Sequence, residues 1–244
     1  MRVIQLSDHP GTLLREARTR RGQARASNRW WARIRAVFAA WAGRGKVPRP
    51  AVPTGVPSAQ EESIAAGRAG EQLVATELGA VLGDEWVLFR GYRNARGEID
   101  HLLVGPRGLF AVEVKYHNAT VYISGDEWQF DRFDRWGNRV GQGRVEDRTG
   151  RSPSVQLNEP ADELERFLRS RGQQVRIKRI VILNHPRSRI GGQRNATVQV
   201  TTSSRQIIDL VGQSRLELTP GRLTQVASLI ERDHHFHDGR RRPK

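Results

Sequence analysis

Two apolar runs, Ile99–Val104 and Leu109–Tyr116, flank the segment Gly105-Pro106-Arg107-Gly108. Strand-forming runs joined by such a short turn-forming link predict an antiparallel hairpin of two central strands. Three charges interrupt it: Asp100 in the first run, Glu113 and Lys115 in the second. Strand side chains alternate between faces, so Glu113 and Lys115 share one face. With the hairpin symmetric about Pro106-Arg107, Val104 pairs with Leu109, and counting back pairs Asp100 with Glu113. Directly opposed residues point to the same face. Two carboxylates and one ammonium therefore converge at one end of the sheet.

Burying a lone carboxylate is costly, so these charges need partners or a metal ion. A hard divalent cation relieves the repulsion of two opposed carboxylates, and oxygen donors suit Mg²⁺ or Mn²⁺, which commonly bridge carboxylates to a substrate phosphate. Such an ion polarises a phosphodiester and activates water. Lys115 is placed to position that water or to stabilise charge developing on phosphorus. The alternative is a structural ion-pair cluster of Asp100 and Glu113 with Lys115 or Arg93.

The surrounding pattern supplies an α/β frame. Ser63–Leu82 has helical periodicity, with Ile64, Leu73, Val74, Leu78 and Val81 on the expected inner face. Trp86–Arg90, Val121–Ser124 and Trp128–Phe130 read as strands, and Arg135–Ser152 as a mobile polar loop. Ser152-Pro153 opens a helix as N-cap followed by proline. That helix runs to about Ser170, with Leu157, Leu164, Phe167 and Leu168 inward and an irregularity expected at Pro160. Arg176–Leu183 and Thr197–Thr201 are further strands, while Ser204–Val211 and Thr219–Arg232 are closing helices. This order predicts a mixed sheet flanked by helices.

Charge divides the 244 residues differently. Residues 1–60 hold twelve Arg/Lys against Asp8 and Glu16, a net +10 of the chain's +15. They read as a basic extension, with an amphipathic helix over 28–42 and a Pro/Gly linker over 43–57. Trp30, Ile34, Val37, Phe38 and Trp41 share one face of that helix, flanked by Arg29, Arg33 and Arg35. Residues 1–24 and 43–58 are expected to be mobile. A folded domain spans 61–233, and 234–244 is a basic tail in which His234, His235 and His237 read as an exposed, frayed cluster rather than a metal site. The basic extension suits a phosphate-rich partner, either nucleic acid or an anionic membrane surface reached through residues 28–42. Cysteine is absent, which excludes disulfides, thiolate zinc sites and a cysteine nucleophile. No apolar run has membrane-spanning length and no signal-peptide core is present, so the expected location is cytoplasmic.

Read together, GRAGEQLVATEL (Gly67–Leu78), GEIDHLLVGPRGLFAVEVKYHNATVYISGDEW (Gly97–Trp128) and SPSVQLNEPADEL (Ser152–Leu164) resemble the nuclease-related domain family, NERD. That family is similar to the PD-(D/E)XK nucleases. Five features of its pattern occur in order: Gly-x-x-Gly-Glu on the first helix, Ile-Asp-His before a strand, a turn into Glu-x-Lys, a Trp after a Gly, and Pro-x-x-Gln on the next helix. Ile99 stands where the superfamily's name has proline. The resemblance implies a restriction-endonuclease-like fold and Mg²⁺- or Mn²⁺-dependent nuclease activity, on DNA ahead of RNA. It implies Asp100, Glu113 and the Val114 backbone carbonyl as metal ligands, with Glu71 joining them directly or through water. It makes Lys115 the catalytic lysine and Gln156 the helix glutamine that supports the site. His101, one residue from Asp100, faces the other side and reads as a packed histidine. Arg68, Arg90, Arg93 and Lys178 are candidate phosphate contacts. The rival readings are a nucleic-acid-binding module without catalysis, and a membrane-associated interaction protein built on the Trp/Arg helix.

Overall fold

The computed structural model describes residues 1–7 and 59–239. The expected helix over 28–42, the linker over 43–57 and residues 240–244 of the tail lie outside the described residues. The chain divides into two compact units, Met1–Asp8 with Ala69–Lys244, and His9–Arg68. Of the second, residues 59–68 are described, as the opening turns of the first helix.

In chain order the elements are β1 (Arg2–Gln5), α1 (Ala59–Val81), β2 (Val87–Arg93), β3 (Glu98–Gly105), β4 (Gly108–Lys115), β5 (Thr120–Ser124), β6 (Glu127–Phe133) and β7 (Arg139–Arg144). There follow α2 (Pro153–Ser170), β8 (Ile177–Leu183), β9 (Arg189–Arg194), β10 (Gln199–Thr201), α3 (Ser204–Gln213) and α4 (Pro220–Gly239). Six strands form one mixed sheet in the order β1-β2-β3-β4-β8-β10, and four form a second in the order β7-β6-β5-β9. The architecture is the α/β arrangement expected, a mixed sheet flanked by helices.

Alternation of side chains gives the six-stranded sheet two apolar faces. On one, Leu88, Leu103, Phe110, Val112, Ile180 and Ile182 pack with Val74 and Leu78 of α1 and with Ile207 and Val211 of α3. On the other, Phe89, Leu102, Leu109, Ala111 and Val181 pack with Leu157, Leu164 and Leu168 of α2 and Val226 and Ile230 of α4. Each fully buried aliphatic or aromatic side chain contributes about 1.5–3 kcal/mol, so the strands carrying the charged residues sit in the most stabilised part of the fold. The hairpin register is the expected one: Val104 pairs with Leu109 and His101 with Val112.

Several expectations need correction. Leu73 and Val81 are exposed, because the inner stripe of α1 runs through Gly70, Val74 and Leu78 at four-residue spacing. The Arg135–Ser152 loop contains a strand, β7, which pairs antiparallel with β6. Helix α2 does run to Ser170 with Pro160 inside it, as expected, and the Pro160 carbonyl accepts a hydrogen bond from the Asn94 side chain at 2.9 Å. Arg2–Gln5, placed in the mobile extension, is an edge strand parallel to β2. The last helix continues to Gly239 and carries the three histidines, and His234 is buried with its Nδ1 accepting from the Arg93 N–H at 3.1 Å.

Candidate active site

Asp100 sits where the ladders on both sides of β3 are interrupted. Toward β2, the pairs Arg90–His101 and Tyr92–Ile99 flank an unpaired Gly91, which has φ +67° and lies opposite Asp100. A side chain at Gly91 would be strained in that conformation and would strike Ser7, 2.4 Å from its Oγ. Toward β4, backbone pairing stops at His101–Val112. Beyond it the Asp100 carboxylate takes over, accepting the Val114 N–H at 2.8 Å. The N–H and C=O of one strand residue face the same neighbour, so the Val114 carbonyl lies on the Asp100 side. Asp100 and Glu113 share the face expected from the register, which is the face covered by α2.

Glu113 is 6% exposed, and its Oε1 accepts from the Lys115 ammonium at 2.6 Å. Lys115 donates a second bond to Gln156 Oε1 at 2.8 Å. Burial alone would lower the Lys115 pKa, but Glu113 and Asp100 raise it above its ordinary value and keep the amine charged. The Asp100 carboxyl is pushed well above the usual carboxylate range, by burial first and then by Glu113 and Glu71. Glu71 on α1 is raised to about 7, again by burial first and then by Glu113. Three acids thus face one ammonium, with the Arg90 guanidinium also acting on Glu71, and the raised proton affinities of Asp100 and Glu71 reflect burial together with negative charge that these cations do not neutralise.

That charge deficit is the test of a metal at this site. Among the described residues no three His, Cys, Asp or Glu side chains stand close enough to cage an ion on their own. Mg²⁺ characteristically takes one or two carboxylates and completes its shell with water and substrate phosphate, so an incomplete cage of oxygen donors suits it. Asp100, Glu113 and the Val114 carbonyl are such donors, with Glu71 beside them. The residues fit a hard divalent cation.

Two residues that spacing did not single out hold the cluster in place. Gln156 is oriented by its own Nε2, which donates to the Arg151 carbonyl at 2.6 Å and so turns Oε1 toward Lys115. Arg151 is in turn fixed by Asp147, which accepts its backbone N–H and its Nε, each at 3.0 Å. Burial pushes the Asp147 carboxyl up, but the Thr149 hydroxyl and N–H, donating at 2.7 and 2.8 Å, together with the bonds from Arg151, hold it at about 2. The nearest sequence hint was Asp147 four residues before Arg151, which in a Gly-rich loop gives no periodic signal.

The other candidates separate cleanly. His101 is fully buried on the α1 face, with Nε2 donating to the Glu71 carbonyl at 3.0 Å, and burial followed by Arg90 lowers it to about 4. It is the packed histidine expected, and it ties Glu71's helix to β3. Arg93 pairs with Glu98 rather than with the acid cluster. Lys178 pairs with Glu217 at 2.7 Å, and Arg90 donates to Gln72 at 2.7 Å. His237 lies 3.6 Å from Asp233, whose carboxylate accepts from the Tyr92 hydroxyl. Of the three histidines, His234 belongs to the packing of α4 on β2, while His235 is exposed. A cleft of about 720 Å³ at the turn end of the hairpin, lined by Pro106, Glu217, Leu218 and Glu231, holds none of the clustered acids.

Among the described residues no helix is long and apolar enough to cross a membrane. Compared with known proteins, residues 66–184 match a family model described as the nuclease-related domain. No curated protein and no solved structure matches the chain.

Proposed function

Since residues 66–184 belong to the nuclease-related domain family, we propose that this protein is a Mg²⁺- or Mn²⁺-dependent nuclease that hydrolyses phosphodiester bonds, in DNA ahead of RNA. One observation carries the reading: Glu71, Asp100 and Glu113 crowd a single ammonium, Lys115, at the open end of the central hairpin. A module that only gripped a polyanion would gain nothing from three acids facing its ligand.

Asp100, Glu113 and the Val114 carbonyl would hold the cation, and Glu71 would join them directly or through water. The ion would supply the positive charge that polarises a phosphodiester and makes water a competent nucleophile near neutral pH. Lys115 has two of its three N–H donors engaged by Glu113 and Gln156. The third is available to a phosphate oxygen, where a fixed cation stabilises charge that grows during the reaction. Gln156 keeps the ammonium from swinging away, because its amide is itself held by the Arg151 carbonyl.

The test is cleavage of labelled single-stranded and duplex DNA and RNA by the full chain, with Mg²⁺, with Mn²⁺ and with EDTA. Cleavage that EDTA abolishes and that Glu113→Gln lacks is the expected result. Equal cleavage by wild type and Glu113→Gln would refute the assignment.

A further inference from the structure

The four-stranded sheet contains two chemically different halves. In the β6–β7 half, bases meet acids: Arg139 lies 3.7 Å from Asp131, and Arg144 lies 2.9 Å from Glu146 and 3.9 Å from Glu127. The β5–β9 half has no such balance. Residues 115–125 and 184–208 contain no Asp or Glu at all. Arg187, Arg189 and Arg194 are exposed, and among the described residues no carboxylate pairs with any of them. Among the described residues the Arg189 guanidinium donates only to the backbone carbonyls of Pro186 and Ser188, at 3.2 and 2.8 Å.

This acid-free half begins at the candidate active site. The Asn184 N–H donates to the Lys115 carbonyl at 2.9 Å, and the Arg189 N–H donates to the Ala119 carbonyl at 3.1 Å. The approach to β9 is therefore stapled alongside the chain leaving Lys115. On β9 the register slips by one residue: Val121 pairs with Ile190, but Tyr122 pairs with Gly192, leaving Gly191 as the bulge. The Tyr122 ring lies across that bulge. A Cβ on Gly191 would sit 2.4 Å from Tyr122 Cε1, so glycine is required for the ring to lie there. The ring remains 39% exposed, with Arg189 and Arg194 on either side of it along β9.

We propose that the β5–β9 edge is a binding track for single-stranded nucleic acid, with Arg187, Arg189 and Arg194 contacting phosphates and Tyr122 stacking on a base. The inference rests on the nuclease reading for its choice of polyanion. Unpaired guanidinium groups complement a phosphate backbone, and an exposed aromatic ring among them offers sequence-independent stacking to an unpaired base. An added protein strand fits poorly. The bulge and Gly-Gly pair disrupt a regular edge, and arginines at both ends of β9 resist strand pairing.

The test is equilibrium binding of the full chain, in EDTA, to a fluorescent 30-nucleotide single strand and to the matching duplex. Arg189→Ala/Arg194→Ala should bind the single strand about tenfold more weakly at low salt, with a log–log salt slope shallower by about 1.4. Tyr122→Ala should lose about tenfold on the single strand and less than about twofold on the duplex, while Tyr122→Phe, which keeps the ring, binds as wild type. A 5-iodouracil strand should crosslink to Tyr122. Melting curves close to wild type establish that the variants are folded, and Tyr122→Phe covers the case in which Tyr122→Ala is not. Wild-type affinity in the folded double variant overturns the track, as does an altered sedimenting mass with unchanged nucleic-acid binding, which would mark a protein interface. Because no cleavage is needed, the two readings fail separately. Active enzyme with unchanged binding in the variants removes the track alone, and track-dependent binding without any cleavage removes the nuclease alone.

Discussion

The two ends of the β3–β4 hairpin are built from the same strands and handle charge in opposite ways. At the turn, the ladder closes fully through Gly105–Gly108, and the Pro106 carbonyl accepts the N–H groups of Glu217 and Leu218 at 2.8 and 3.0 Å. There one base meets one acid, Lys178 with Glu217 at 2.7 Å. At the open end, the ladder is interrupted at Asp100 and three acids share one ammonium. Of these two ends, only the open one leaves buried acid charge incompletely balanced.

That contrast can be broken in four ways, beginning with the largest effect. Glu113→Gln and Asp100→Asn should each lower cleavage by about 10³-fold or more, by removing a donor to the cation. In EDTA the same variants should melt at or above the wild-type temperature, because repulsion is relieved. At the turn, Glu217→Gln should leave cleavage within about twofold and cost about 0.2–1 kcal/mol, as part-exposed ion pairs do. Equal effects at the two ends, in paired cleavage and melting measurements, would erase the distinction.

Next, Lys115→Ala should lower turnover by about 10²-fold while titration calorimetry still detects Mg²⁺ or Mn²⁺. Loss of metal binding together with turnover would make Lys115 a structural counter-ion instead. Third, Gln156→Ala and Asp147→Asn should each cost about tenfold, in the range seen when outer supports of a site are removed. Their signature is a fall in kcat with KM nearly unchanged, and Gln156→Glu, which retains an acceptor for Lys115, should recover part of the loss. An unchanged kcat in Asp147→Asn would detach that loop from the site.

The smallest effect is a pH dependence of stability in the metal-free protein. Glu71 is raised from 4.5 to about 7 in the fold, so the folded state holds its proton more tightly. The stabilising contribution is full below about pH 4.5 and is lost as pH rises through about 7. His101, lowered from 6.5 to about 4, has the opposite sign: its contribution is present above 6.5 and lost as pH falls through about 4. Comparing wild type with Glu71→Gln isolates the first group. The variant's melting temperature should gain on wild type between about pH 5 and about pH 8, and Mg²⁺ should shrink that gain. A pH-independent difference would mean that Glu71 does not share the buried charge.

Much of this site was legible because it depends on local rules. The Gly-Pro-Arg-Gly turn fixes the hairpin register, and register with strand alternation brings Asp100, Glu113 and Lys115 to one face. Ser152 and Pro153 mark the start of α2 at the observed residue, which puts Gln156 one turn into the helix. What escaped has no apolar periodicity. Strand β7 has a single large apolar side chain, the exposed Val140, and is held by pairing with β6, while β9 is exposed on every residue. Strand β1 is four residues long and lies within a basic stretch. The end of α4 was read as a tail because its contacts, Tyr92 with Asp233 and Arg93 with His234, are polar and join residues 141 positions apart. The Asp147–Arg151 link behind Gln156 was missed for a related reason: it orients Gln156, and through it Lys115, by hydrogen bonds that no spacing rule encodes.

The chain leaves the sheet after Lys115 and returns to the site at Gln156, making β5, β6 and β7 in between. The β6–β7 connection lies far along that excursion, where Asp134 accepts the N–H groups of Trp136 and Asn138 at 2.8 and 2.9 Å and Trp136 is 71% exposed. Closing a longer loop costs little, about 0.6 kcal/mol for each doubling of its length. The tip is therefore a natural splice point. A peptide tag or a small fluorescent domain inserted after Gly137 should be carried without disturbing the acids, the lysine or the helix that supports it.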